Sequence, residues 1–216
     1  MKPSIWTSIY VELQPEDALR RLRALGWQNF ELSCEHLQVL VDCPRRSARV
    51  RRFRQLCKEL GVTVPQCHLP LVTNFAQGDR GKRQEQIAAA LEWIAVAADL
   101  GIKNGVLHPG GGDGLPNEGA WQEVRRLNLA AFAQFAAKAE SVGFRVAIEN
   151  MADGLGIAKR GYGAVVWELL DVIRTIGSPA LGICFDTSHA NIQRLDLPAA
   201  LRECGDHLIA THISDN

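Results

Sequence analysis

The sequence predicts an α/β fold, a (β/α) barrel in which seven strands are visible and the eighth βα unit lies outside the 216 residues. Three observations predict it. Short hydrophobic runs alternate with helix-patterned stretches along the whole chain, and five of those runs end in an acidic or imidazole side chain. The runs are continuously apolar, so both faces of the sheet must be covered. Side chains at the ends of separate strands meet only where parallel strands bring their C-terminal ends to one rim, which is where barrels carry their chemistry.

The elements follow in order. A strand over 5–10, with Trp6 inside it, precedes a helix over 15–25. A second strand over 29–34 leads to Glu35 and His36, which are pocket-wall candidates and equally well explained by solvent exposure. A helix over 45–60 carries RRSARVRRFR, whose six arginines read as a solvated outer face rather than a surface for a phosphate polymer. The third strand, 64–68, ends VPQCH at His68. After it, GDRGKR places Arg80, Lys82 and Arg83 in a loop before a helix over 83–100. The fourth strand, 105–108, ends at His108, which opens HPGGGDG, and a helix over 120–142 follows. The fifth strand, RVAIE, ends at Glu149; AKRGYG then sets Lys159 and Arg160 beside glycines before a helix over 165–176. LGICFD ends the sixth strand at Asp186, with His189 three residues on. A helix over 198–204 and the seventh strand, LIATH, bring in His212, followed by Asp215. Four helix-to-strand joints, ALGWQNF, ELGVTV, DLGIKN and SVGFRV, carry a glycine where a helix commonly closes in the left-handed conformation.

Composition narrows the class. The 47% hydrophobic content excludes general disorder, and no apolar run is long enough to cross a membrane. The start, Met1 to Ile5, lacks a secretory pattern, so a cytoplasmic location is expected. Six cysteines, none in a CxxC pair, read as reduced and mostly buried thiols, with Cys34, Cys67 and Cys184 placed inside strands. A net charge of zero argues against broad contact with nucleic acid. No composition break divides 1–216 into more than one domain.

Glu149, Asp186 and His212 form the leading metal set, because carboxylate oxygen and imidazole nitrogen suit Zn2+, Mn2+ or Co2+ and three such ligands leave positions open. Each residue alone has a bland reading: a loop cap, a helix cap, a hydrogen-bonded barrel histidine. His68 and His108 add either a second metal position bridged by Glu149 or hydrogen bonds to a substrate. His189 shares a helical face with Asp186 if a turn begins there, and Asp215 is placed to orient a ligand. Arg80, Lys82, Arg83, Lys159 and Arg160 are the cations available to an anionic group.

CHLP at 67–70, LHPG at 107–110, IEN at 148–150, FDTSHAN at 185–191 and HISDN at 212–216 together resemble the xylose-isomerase-like superfamily of TIM barrels. That superfamily includes sugar and sugar-phosphate isomerases and epimerases and the endonuclease IV type of DNA-repair enzyme. The resemblance implies that Glu149, Asp186 and His212 bind one divalent metal, completed by a glutamate from strand eight that is not among these residues. It implies proton transfer beside a carbonyl between Glu149 and that strand-eight glutamate. For chemistry of this kind the residues themselves offer Glu149 and His189 as catalytic candidates and His68, His108 and His189 as contacts to a small sugar, with Lys159 or Arg160 contacting phosphate if the substrate is a sugar phosphate. Trp6 would stack on a sugar face or fill the barrel mouth. No nucleotide cofactor, membrane or nucleic-acid partner is expected, and a homo-oligomer is compatible. The alternatives are an endonuclease-IV-like phosphodiester hydrolase, since the histidine set resembles that branch's zinc ligands, and a catalytically diverged barrel.

Overall fold

A computed structural model describes residues 3–111, 117–152 and 160–215. Seven strands, β1 (Ile5–Trp6), β2 (Asn29–Leu32), β3 (Thr63–His68), β4 (Asn104–Leu107), β5 (Arg145–Glu149), β6 (Leu181–Asp186) and β7 (Leu208–His212), form one sheet in chain order. Every neighbouring pair is parallel. Parallel strands need a crossover between them, and right-handed crossovers in unbroken order put the helices on the outside of a curling sheet. The result is the TIM-barrel fold with seven strands described.

The helices are α1 (Pro15–Ala24), α2 (Cys34–Val41), α3 (Arg46–Leu60), α4 (Arg80–Asp99), α5 (Glu118–Val142), α6 (Val166–Ile176), α7 (Thr187–Ile192) and α8 (Leu197–Cys204). Their apolar stripes build the main core against the outer face of the sheet. On α5 the stripe is Leu127, Ala131, Phe132, Phe135, Ala136 and Ala139, the three- and four-residue spacing of one helical face. Phe132 and Phe135 are fully buried, each stabilising the fold by about 1.5–3 kcal/mol. The inner face holds a much smaller apolar layer, Val106, Ala147, Cys184 and Ala210, below the polar rim. Gly61 and Gly143, with φ of 62° and 66°, close α3 and α5 in the left-handed conformation as their joints predict.

Most boundaries shift by a residue or two, and three of the differences change where side chains stand. β1 stops at Trp6 because Thr7–Tyr10 coil into a 3-10 turn. The buried Thr7 hydroxyl accepts from Ser33 N–H at 2.9 Å and lies 2.8 Å from His36 Nδ1. β2 stops at Leu32 because Ser33 caps a helix that the sequence reading missed, accepting from His36 N–H. Cys34 therefore opens α2 rather than ending a strand. α4 begins at Arg80, capped by Asp79, so Arg80, Lys82 and Arg83 stand on its first turn and not in a loop. All six cysteines are free; Cys34, Cys67, Cys184 and Cys204 are buried, while Cys43 and Cys57 are half-buried. Among the described residues no helix is long and apolar enough to cross a membrane.

Candidate functional site

The strand ends place five of the predicted side chains at one rim. His68, Glu149, Asp186 and His212 are the last residues of β3, β5, β6 and β7, and His108 follows β4 directly. Asp186 and His212 face each other as register partners, while Glu149 pairs with Cys184, one side chain below Asp186 on the same face of β6. These residues and His189 line a cleft of about 490 Å³, walled on the other side by Trp6, Trp27, Leu71 and Ile213.

Glu149 is the centre of the cluster and only 1% exposed. Its Oε1 lies 2.7 Å from His212 Nδ1 and 3.8 Å from His189 Nδ1; its Oε2 lies 2.9 Å from His108 Nε2 and 3.5 Å from His68 Nε2. Burial works to raise the Glu149 carboxyl, but contacts with His108, His212 and His68 win and hold it well below the usual carboxylate range. For His212, burial favours the neutral ring. Contacts with Cys184, Glu149 and Glu31 overcome it and push the imidazole far above its ordinary value. Burial drives the Cys184 thiol up to about 12 against the opposing contact with His212.

Neighbouring groups fix the orientation of each ligand. Asn150 is fully buried and clamps the Asp186 backbone twice, accepting its N–H at 2.7 Å and donating to its carbonyl at 3.0 Å. Asp186 Oδ1 caps α7 by accepting from His189 N–H at 2.8 Å, which leaves Oδ2 toward His212 at 3.7 Å. Helix capping and participation in the cluster are thus compatible in one carboxylate. His68 Nδ1 faces the Leu69 carbonyl at 2.8 Å, and His189 Nδ1 faces the Asn150 carbonyl at 2.9 Å. A carbonyl only accepts, so both Nδ1 atoms carry protons and the neutral rings keep their lone pairs on Nε2.

That tautomer bears on metal binding. With its proton on Nδ1, the neutral His68 ring offers the Nε2 lone pair to a cation, and Glu149 Oε2, 3.5 Å away, is a buried oxygen to which no described donor is aligned for a hydrogen bond. A dication at this corner would meet both atoms. Three ligand sets satisfy metal spacing, with donor atoms within 4.8 Å of one another: His68, His108 and Glu149; Glu149, Asp186 and His189; Glu149, Cys184 and His212. All share Glu149. The nitrogen and oxygen donors fit Zn2+, Mn2+ or Co2+, and Glu149 is placed to bridge two positions.

Other predicted residues stand elsewhere. Arg160 does not line the cleft; its guanidinium meets the buried carboxylate of Glu168 at 2.8 Å and lies over the Trp167 ring. Arg80, Lys82 and Arg83 are also away from it, and Lys159 lies outside the described residues. His36 is buried between Thr7 and Leu13, Glu35 is not a cleft residue, and Asp215 is exposed outside the cleft. Glu31, which the sequence reading passed over, lies inside: its Oε1 is 2.9 Å from His212 Nε2. An acidic residue in the middle of the four-residue strand NFEL was the available signal.

The rim loops are tied together. Asn128 on α5 accepts from Gly110 N–H at 2.7 Å and donates to Gly110 carbonyl at 2.8 Å, two residues beyond His108. The Gly110 backbone packs against Phe75 and Ala76, where a Cβ would meet backbone atoms at 2.5–3.0 Å. Glu168 gathers Trp121 Nε1–H, Arg160 and Gly163 N–H, tying Arg160 and Gly163 to α6 and to Trp121 on α5.

A family model described as xylose isomerase-like TIM barrel matches residues 19–216. A protein named probable endonuclease 4, from Campylobacter curvus (strain 525.92), is 30% identical over 206 residues, covering 88% of this chain and 69% of that one. An uncharacterised protein of Methanocaldococcus jannaschii is 26% identical over 212 residues, covering 94% of this chain and 67% of that one. Among solved structures, a D-tagatose 3-epimerase-like protein superposes with a TM-score of 0.80 at 20% identity, over 100% of this chain and 77% of that one. The 3-keto-D-glucoside 4-epimerase from E. coli gives 0.81 at 18% identity, over 100% and 80%.

Proposed function

Since the chain belongs to the xylose isomerase-like TIM-barrel family, we propose that it is a divalent-metal-dependent isomerase or epimerase of a small sugar, acting by proton transfer beside a carbonyl. One observation carries this reading. The buried Glu149 carboxylate stands at the floor of a small cleft, ringed by imidazoles from three strand ends and His189, and no described donor is aligned for a hydrogen bond to its Oε2. The epimerases among the superposed structures support it at the level of the fold. No lysine or arginine lines the cleft among the described residues, which favours a neutral sugar over a sugar phosphate.

Glu149, Asp186 and His212, whose Nδ1 lies 2.7 Å from Glu149 Oε1 and 3.7 Å from Asp186 Oδ2, would hold one metal, which would take the place of the Nδ1 proton; His68 and His108 with Glu149 would offer a second position. A bound dication supplies Lewis-acid stabilisation of the negative charge that develops on adjacent sugar oxygens. The protein side chains supply the rest. Glu149, ionised in its pocket, takes the proton from the carbon beside the carbonyl. Delivery by the same carboxylate to the former carbonyl carbon, with the adjacent hydroxyl proton passing to the former carbonyl oxygen, gives isomerisation, whereas inversion at one carbon requires an acid on the opposite face. His189, whose Nδ1 proton is committed to Asn150, keeps Nε2 to accept from a sugar hydroxyl. Trp6, 44% exposed at the mouth, offers an apolar face to the C–H side of the ring.

The test is exchange of a carbon-bound substrate proton with deuterated water over a panel of neutral sugars, with added Mn2+, Co2+ or Zn2+. The expected result is exchange in the wild type and its loss, by at least about 100-fold, in Glu149→Gln with metal content measured in parallel. Absence of exchange across the panel in metal-loaded protein overturns the reading.

A second reading, hydrolysis of a phosphodiester, is favoured by the His68–His108–Glu149 set and by the endonuclease-named relative. Metal-dependent cutting of DNA at abasic sites, abolished by chelation, would select it.

A further inference from the structure

We propose that Glu31 is a positioning residue for the metal centre: it holds His212 by Nε2 and thereby sets Nδ1 as the atom that faces Glu149 and Asp186. The inference rests on the metal reading above and goes beyond it, to a residue from the opposite side of the barrel.

The geometry is specific. Glu31 sits in the middle of β2 with its carboxylate inside the barrel, 6% exposed. Oε1 is 2.9 Å from His212 Nε2, and Oε2 accepts from Gln66 Nε2–H at 2.8 Å. Gln66 is its register partner on β3, so the anchor is built into the sheet. On its other side the His212 ring meets Glu149 Oε1 at 2.7 Å and Asp186 Oδ2 at 3.7 Å. A line of polar groups therefore crosses the barrel from Gln66 through Glu31 and His212 to Glu149.

Burying a carboxylate is costly unless it is paired, and an apolar side chain would fill the interior with less penalty. Among the described residues Glu31 has His212 and Gln66 as hydrogen-bond partners and no lysine or arginine. Its position is explained by what it does to the ring. An imidazole held at Nε2 by a carboxylate cannot flip to exchange its Nδ1 and carbon edges, and the carboxylate makes the distal nitrogen a stronger donor to a dication. Outer groups of this kind alter metal affinity by about 10–100-fold.

The experiment is titration of Co2+ into the full chain, read by visible absorption and by competition with a chromogenic chelator. Expected in Glu31→Ala is affinity about 10–100-fold weaker with an altered cobalt band. Glu31→Gln, which keeps an acceptor oxygen without the charge, should fall between, and Gln66→Leu, which only frees the carboxylate, should lose less. A purely structural role would lower thermal stability and leave the cobalt band of the folded protein unchanged. That outcome in Glu31→Ala or, should Glu31→Ala not fold, in Glu31→Gln overturns the proposal. If the wild type takes no cobalt, the metal reading fails, and imidazole 15N NMR of the metal-free protein decides the rest. A hydrogen-bonded Nε2–H signal of His212 that disappears in Glu31→Ala, or shifts upfield in Glu31→Gln, keeps the positioning role; an unchanged signal in the folded variants overturns it.

Discussion

Single side chains at the rim do several things at once, and their substitution should show it. Among the described residues, Asn128→Ala leaves both buried backbone groups of Gly110 without partners, at a cost of about 2–4 kcal/mol measurable by urea unfolding. Gly163→Ala should be similarly harmful. Its φ is +89°, and an added Cβ would lie 2.4 Å from Pro109 Cγ, so left-handed strain and a clash combine to about 2–4 kcal/mol. Most of the cluster was legible because acidic and imidazole residues at the ends of apolar runs have few other reasons to recur. Glu31 was not, because it lies within its strand and only the curl of the sheet brings it beneath His212. Arg160 shows the opposite case: a cation beside glycines suggests anion binding, and the structure pairs its guanidinium with a buried carboxylate eight residues later, Glu168.

Short elements were the hardest to read. α2 has the spacing of Leu37, Leu40 and Val41 and the cap Ser33, but Cys34, the apolar residue just past Ser33, carries the strand pattern of NFEL across the cap and hides the turn. α7 has only six residues, and its cap is Asp186, a residue that metal chemistry already explains. Between longer elements, the α1–α3 contact depends on Glu16 and Arg49, which form a two-pronged pair at 2.9 and 2.8 Å. Burial raises the Glu16 carboxyl, but the hydrogen bonds and charge of Arg49 outweigh it and lower the group below its ordinary 4.5. A lowered carboxyl stabilises the fold above the unfolded-state value and loses that contribution as pH falls through the folded value. Thermal denaturation followed from pH 7 downward should therefore show an acid loss beginning near 4.5, with a shallower slope in Glu16→Gln. Identical slopes would place the acid sensitivity elsewhere.

At the scale of the whole molecule, the repeated strand–helix alternation was enough to give a parallel sheet in chain order, since crossovers of one hand permit few other arrangements. If the cluster holds a dication only in the folded state, the melting temperature should rise with added Co2+ or Mn2+, by about 2.7 kcal/mol of stability at a hundredfold excess over Kd, and EDTA should reverse it. An unmoved transition would count against metal binding. The order of the strands also bears on how the chain reaches this state. Each strand pairs with its successor, so the sheet can assemble by short steps of similar entropic cost, whereas Glu31 and His212 meet across 181 residues. Such a distant pair is expected to form after the rate-limiting barrier. Glu31→Gln should then hasten unfolding in stopped-flow experiments while leaving the refolding rate almost untouched, making this contact a latch on the lifetime of the native state.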